Sequence, residues 1–217
     1  QRISGRHDPL GAVVATALGA LYYECDEIEQ SRSLIDHYVP MMTSAGLVEQ
    51  LLNGWITKAR LHLLDGEAER AIATLEEAAD FASKQELERL RIGVSAEQTR
   101  TLLRLGRLDD AFRLATRRGL LSHRAARSTR GPHRFTTLDG AVAMASCSLM
   151  AMDDRLGDAL RLARQWRSFV AGAQAYYAAV EWDILVAELL LLSGQRLGAQ
   201  RSLVQALVRA APASLVR

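Results

Sequence analysis

The chain has 217 residues, of which 49% are hydrophobic and 24% charged, and its formal net charge is +2. These are globular values that exclude wholesale disorder, and the length is generous for one compact core but ordinary for a stacked array. Only 6% of the residues are aromatic, there are four prolines, and Leu, Ala, Arg and Glu dominate without alternating β-branched runs, which predicts helix nearly throughout.

Taken in chain order, the predicted elements form five helix–turn–helix units. Unit one covers about residues 11–45, unit two 49–84 and unit three 87–121; unit four covers 137–171 and unit five 174–211. Each has a Gly or Asp at its turn, at Asp26, Gly66, Gly106, Asp154 and Gly194, spaced 40, 40, 48 and 40 residues apart. Five residues after each comes a small side chain: Ser31, Ala71, Ala111, Ala159 and Ala199. Twelve residues before that one comes another: Gly19, Ala59, Thr99, Cys147 and Ala187. The turn residue suits a left-handed helix stop, and two small side chains on facing helices permit close antiparallel packing. Four residues beyond the second small position the residue is apolar each time (Ile35, Leu75, Ala115, Ala163, Leu203), as the next layer of a packing stripe requires. No unit can bury its apolar faces alone, so the expected fold is all-α, a right-handed α-solenoid of about five two-helix repeats in a single domain.

Charge is unevenly placed. No acid occurs from Phe112 to Leu138, whereas seven arginines do, leaving the rest of the chain at about −5 (+2 minus 7). This basic insertion, about residues 118–135, coincides with the eight extra residues between units three and four. Its first part is expected to extend the second helix of unit three, and Gly131–Pro132 to break it. Arg124, Arg127, Arg130 and Arg134 are candidates for contact with an anionic group, or are the charges of a solvated loop.

Cys25 and Cys147 show no CxxC or Cys–His spacing, the five histidines include no HExxH, and no GxSxG elbow or phosphate loop is present. The paired acids at the turns (Glu24 to Glu29, Asp109–Asp110, Asp153–Asp154) recur where helix N-termini favour carboxylates. Hence neither an enzyme nor a metal site is expected. The most apolar run, Ile184 to Leu192, contains Glu188 and is too short for a bilayer. The start at Gln1 and the helical-looking sequence at Arg217 suggest a segment of a longer protein.

The small-residue pairs around a turn resemble the tetratricopeptide repeat (TPR), with a period of 40 in place of 34. Together with "LLDGEAERAIATLEEA", "LLRLGRLDDAFRLA", "ALRLARQWRSFV" and the stretch from Val186 onward, the chain resembles the superhelical sensor domain of large ATP-dependent LuxR-family (MalT-like) transcriptional regulators. The resemblance implies a bacterial, cytoplasmic segment that senses a small-molecule inducer or a regulatory protein and controls self-association. It places ATP only on an absent N-terminal module and DNA only on an absent C-terminal helix-turn-helix, with no cofactor or membrane contact for this segment itself. A stand-alone scaffold binding a peptide or protein partner remains the alternative.

In a TPR-like stack the residue after the first small position faces the concave side: Ala20, Arg60, Arg100, Ser148 and Glu188 here. Seven residues earlier the same stripe holds Asn53 and Glu181. Asn53, Arg60 and Arg100, with Arg104 one turn on, would offer donors for a carboxylate or phosphate, and Glu181 and Glu188 give unit five the opposite sign. Tyr23 and Trp55 lie near the stripe and could stack a ring. The same charges equally suit salt bridges between neighbouring helices.

Overall fold

The computed structural model describes residues 9–42, 47–120 and 136–215. Among them there are ten α-helices and no strand. They are α1 (Pro9–Glu24), α2 (Ile28–Met42), α3 (Val48–Leu64), α4 (Ala68–Lys84), α5 (Glu88–Arg104), α6 (Leu108–Arg117), α7 (Thr137–Met152), α8 (Leu156–Gly172), α9 (Tyr176–Leu192) and α10 (Arg196–Ala210), followed by a 3-10 turn at Ala211–Ala213. Arg124, Arg127, Arg130 and Arg134 lie outside the described residues.

The turns follow from backbone chemistry. Asp26, Gly66, Gly106, Asp154 and Gly194 all have positive φ, between 53° and 76°. At Gly66 the pattern is complete: the Glu67 N–H donates to the His62 carbonyl at 2.9 Å and the Gly66 N–H to Leu63 at 3.1 Å. This pair of hydrogen bonds closes the last helical turn around a left-handed residue. The same six-residue closure recurs at Glu27, Arg107, Arg155 and Gln195. Between units, Glu86 and Gln174 take the left-handed conformation too, 20 residues after Gly66 and Asp154, so the helix-plus-turn module is half the 40-residue repeat.

One expectation is corrected here. The second helix of unit three does not extend into the basic segment. It ends at Arg117, because Gly119 adopts φ 70° and the Leu120 N–H turns back to the Ala115 carbonyl at 2.9 Å.

The chain divides into two compact units, residues 1–94 and 95–216, with the division falling inside α5. In the first, α3 packs on α1, α2 and α4 around Ile35, Val39, Leu51, Trp55, Leu75 and Leu90. Helix approach is set by glycine: a Cβ on Gly54 would lie 2.7 Å from Thr16 Cγ2 and 2.9 Å from Val39 Cγ2. In the second unit, α9 packs on α7, α8 and α10. Its core is centred on Trp166 and Trp182, whose rings stack with centroids 5.5 Å apart and an interplanar angle of 8°. All ten small residues of the paired pattern are buried. Helical backbones can approach closely there because nothing larger than Thr or Cys intervenes.

Candidate functional site

The sequence-predicted groove residues fall into distinct environments. Asn53, Arg104 and Glu188 are exposed, and Glu181 is half-buried. Arg60 is mostly buried on α3, and its Nη1 donates to Glu24 Oε1 at the end of α1 over 3.4 Å. Arg100 on α5 donates to Glu97 Oε2 at 3.3 Å, and Glu97 itself is buried. Both arginines therefore hold a carboxylate of this chain. Tyr23 packs half-buried against the core of the first unit.

Trp55 is a correction. It is not a ring platform near a groove but a core side chain 3% exposed, with Lys58 Nζ lying 5.8 Å from its ring centroid. The repeat register explains why. Adding 40, 88 and 128 residues to Trp55 gives Ser95, Ala143 and Asp183, and all four are buried. This helix face turns inward in units two to five.

That register also locates a residue the sequence reading missed. Asp183 is fully buried on α9, with Arg209 Nε of α10 at 3.1 Å from its Oδ2 and Arg167 Nε of α8 at 3.9 Å from its Oδ1. Burial pushes its carboxyl above the usual range, against the pull of Arg209 and then Arg167. The three side chains tie α8, α9 and α10 together. Arg167 Nη1 also reaches Ser202 Oγ at 3.5 Å.

At the turns the acids are bracketed by arginines. Asp110 accepts from Arg107 at 2.8 Å and also from Arg113. In the equivalent place of unit four, Asp158 accepts from Arg155 at 2.9 Å and from Arg161 at 2.6 Å. Hydrogen bonds from these guanidinium groups hold both carboxyls below their ordinary value. An acid three residues from an arginine on each side, RLDDAFR and RLGDALR, was the available signal.

The turn of unit two brings His62, Asp65 and Glu67 together, with one ligand atom from each within 4.8 Å of the others. His62 Nδ1 lies 3.0 Å from Glu67 Oε2. The two acids already hold cations: Arg32 is 2.9 Å from Asp65 and Arg70 is 2.7 Å from Glu67. Sequence spacing gave no hint of this group, because the left-handed Gly66 is what folds Glu67 back onto His62.

No protein-family model matches the chain, and neither does any curated protein sequence. Two solved structures do. Both are crystal structures of nearly identical TPR-like repeats from a Podosopora anserina protein assigned as a kinesin light chain, one of them a single-substitution variant of the other. The variant is 17% identical to this chain, with a TM-score of 0.53 over 96% of this chain and 98% of that one. The other is also 17% identical, with a TM-score of 0.52 over 94% and 97%. The chain has the fold of a TPR-like helical repeat. At this identity the likeness concerns fold alone. No described helix of these repeats is long and apolar enough to cross a membrane.

Proposed function

We propose that this TPR-like array is a recognition module that binds a protein or peptide partner. The observation that carries the reading is a stripe of exposed and half-buried residues on α9, the first helix of the last unit. Tyr177, Glu181, Ile184, Glu188 and Leu191 succeed one another at helical spacings of three and four, and alternate apolar with acidic character. Neither glutamate forms an ion pair among the described residues. Such a stripe suits a partner helix whose own face alternates basic and apolar residues. Arg60 and Arg100, already matched to Glu24 and Glu97, serve in this reading as helix-to-helix and within-helix ties. The bracketed turn acids are solvent-facing structure, and the segment is a binder and not an enzyme.

The resemblance of the repeats to LuxR-family sensor domains extends the proposal: the module would report its bound partner, or a small inducer, to a regulator's other parts. Titration of labelled basic–apolar helical peptides by fluorescence anisotropy tests the core reading. Saturable binding that is lost in Glu181→Lys/Glu188→Lys supports it, and identical binding by that variant refutes it. A thermal-shift screen against metabolites separates the inducer reading, since a ligand that binds only the folded state raises the melting temperature.

A further inference from the structure

Helices α10 and α1 carry apolar faces of the kind that the joint between α2 and α3 covers. In the first unit, α3 seats its inward face on α1 and on α2, the second helix of the preceding repeat. The second helices show what such a seat looks like. Ile35 and Val39 of α2, and Leu75 and Ala79 of α4, are fully buried. The repeat-equivalent residues of α10 are Leu203 and Leu207, which are 45% and 68% exposed. Leu203 was expected to be one more buried layer of the stripe, and this is where it departs from the pattern.

Helix α10 goes further than an uncovered repeat would. Leu197, Val204 and Val208 occupy positions held in unit one by Glu29, Asp36 and Pro40, and in unit two by Glu69, Glu76 and Asp80. Where unit two carries three acids and unit one two acids and a proline, α10 exposes three more aliphatic side chains.

Helix α1 shows the complementary departure. Val14 of α1 is 66% exposed, whereas its equivalents Gly54, Val94, Val142 and Trp182 are all buried. Leu21 is exposed, whereas Leu61, Thr101, Leu149 and Leu189 are buried. With Leu10 and Leu18 these form a stripe at spacings of four, four and three along α1. In the internal joint the matching position, Gly54, meets Val39 of the preceding second helix. The face of α1 is thus of the kind that seats on a second helix, and the face of α10 is a second helix with no first helix on it.

Charge agrees with the match. Across the internal joint Arg32, near the start of α2, pairs with Asp65 at the end of α3 over 2.9 Å. One residue further along in each equivalent element stand Arg201 of α10 and Asp26 after α1, both exposed. Helix α10 carries Arg196 and Arg201, besides the Arg209 that Asp183 holds, and no acid, while the turn after α1 carries Asp26 and Glu27.

We infer that the face of α10 docks on α1 of a second copy of this chain, repeating between molecules the joint that α2 makes with α3. The contact joins two different faces, so each joined pair keeps one unused face of each kind and can take up further copies. Val14 against Leu207 is a bulkier pair than Gly54 against Val39, so the helices at this joint sit further apart than α2 and α3.

Sedimentation velocity over a range of concentrations tests the inference. The wild-type chain should rise from 23.9 kDa through multiples of it. Val204→Glu/Leu207→Glu and Val14→Glu/Leu21→Glu alter exposed positions, and unchanged circular dichroism melting verifies that they fold. Each variant alone should stay monomeric or nearly so, while an equimolar mixture should form dimers and stop there, because one intact face of each kind remains. A wild-type protein that stays monomeric up to hundreds of micromolar overturns the inference. So does a Val14→Glu/Leu21→Glu variant that still dimerises, which would indicate a symmetric α10 contact.

Discussion

Replacing Gly54 by alanine places a methyl group where two others already stand. The new Cβ would lie 2.7 Å from the Thr16 methyl and 2.9 Å from a Val39 methyl, when ordinary contact begins near 3.4 Å. Thr and Val are β-branched and stiff at χ1 within helices, so neither methyl can swing aside cheaply. Relief must come from moving α3 away from α1 and α2. Overpacking of this kind costs about 1–3 kcal/mol. Alanine returns about 1 kcal/mol of helix propensity over glycine. The balance is a loss of up to about 2 kcal/mol, and at roughly 2–4 °C per kcal/mol for a chain of this size the melting temperature falls by up to roughly 8 °C. Thermal denaturation followed by circular dichroism is the assay, with Gly157→Ala as control because its Cβ would meet nothing within 4 Å. Adding Val39→Ala to Gly54→Ala should recover part of the loss, with a coupling of at least about 0.5 kcal/mol. A Gly54→Ala protein that melts above the wild-type temperature refutes the argument that close helix approach sets this joint.

Removing Arg209 strands the buried carboxylate of Asp183 with only the more distant Arg167, so Arg209→Ala should cost about 3 kcal/mol or more at neutral pH in urea unfolding. Because the folded state raises the Asp183 carboxyl, it binds the proton more tightly than the unfolded chain does. The contribution of Asp183 to stability therefore falls as pH rises from its ordinary value of 3.8 through its raised one, and Asp183→Asn should abolish that part of the slope. Asp158 has the opposite sign: its carboxyl is lowered by Arg155 and Arg161, so its contribution is present above pH 3.8 and lost as pH falls, and added salt should weaken it. Burial pushes the Cys147 thiol up to about 12, so iodoacetamide at pH 8 should modify the partly exposed Cys25 and reach Cys147 only after unfolding, as read by mass spectrometry.

Much of the fold was legible because its local rules are written in residue type. A glycine or an aspartate tolerates the left-handed conformation that ends a helix, and all five predicted turn residues adopt it. Small residues spaced twelve apart around such a turn meet on facing helices, and all ten are buried. The exposure of some candidate groove residues was legible in the same way. The exposed Asn53, Arg104 and Glu188 follow the stripe, whereas Trp55 lies on the buried face that the register itself shares with Ser95, Ala143 and Asp183.

The pairing of side chains was another matter. Arg60 meets Glu24 from 36 residues away, and Arg209 meets Asp183 from 26. A long charged side chain has several acids within reach of its sequence neighbourhood, and packing chooses among them. Burial of an apolar residue depends likewise on what covers it. Leu203 and Ile35 have the same place in the repeat and the same chemical character, yet one is 45% exposed and the other buried. By itself the sequence determined where the helices stop and which faces are apolar, since backbone freedom and side-chain size are properties of single residues. Tertiary structure alone decided which charges pair and which apolar faces stay open, because both depend on a neighbour brought close by the packing of other helices.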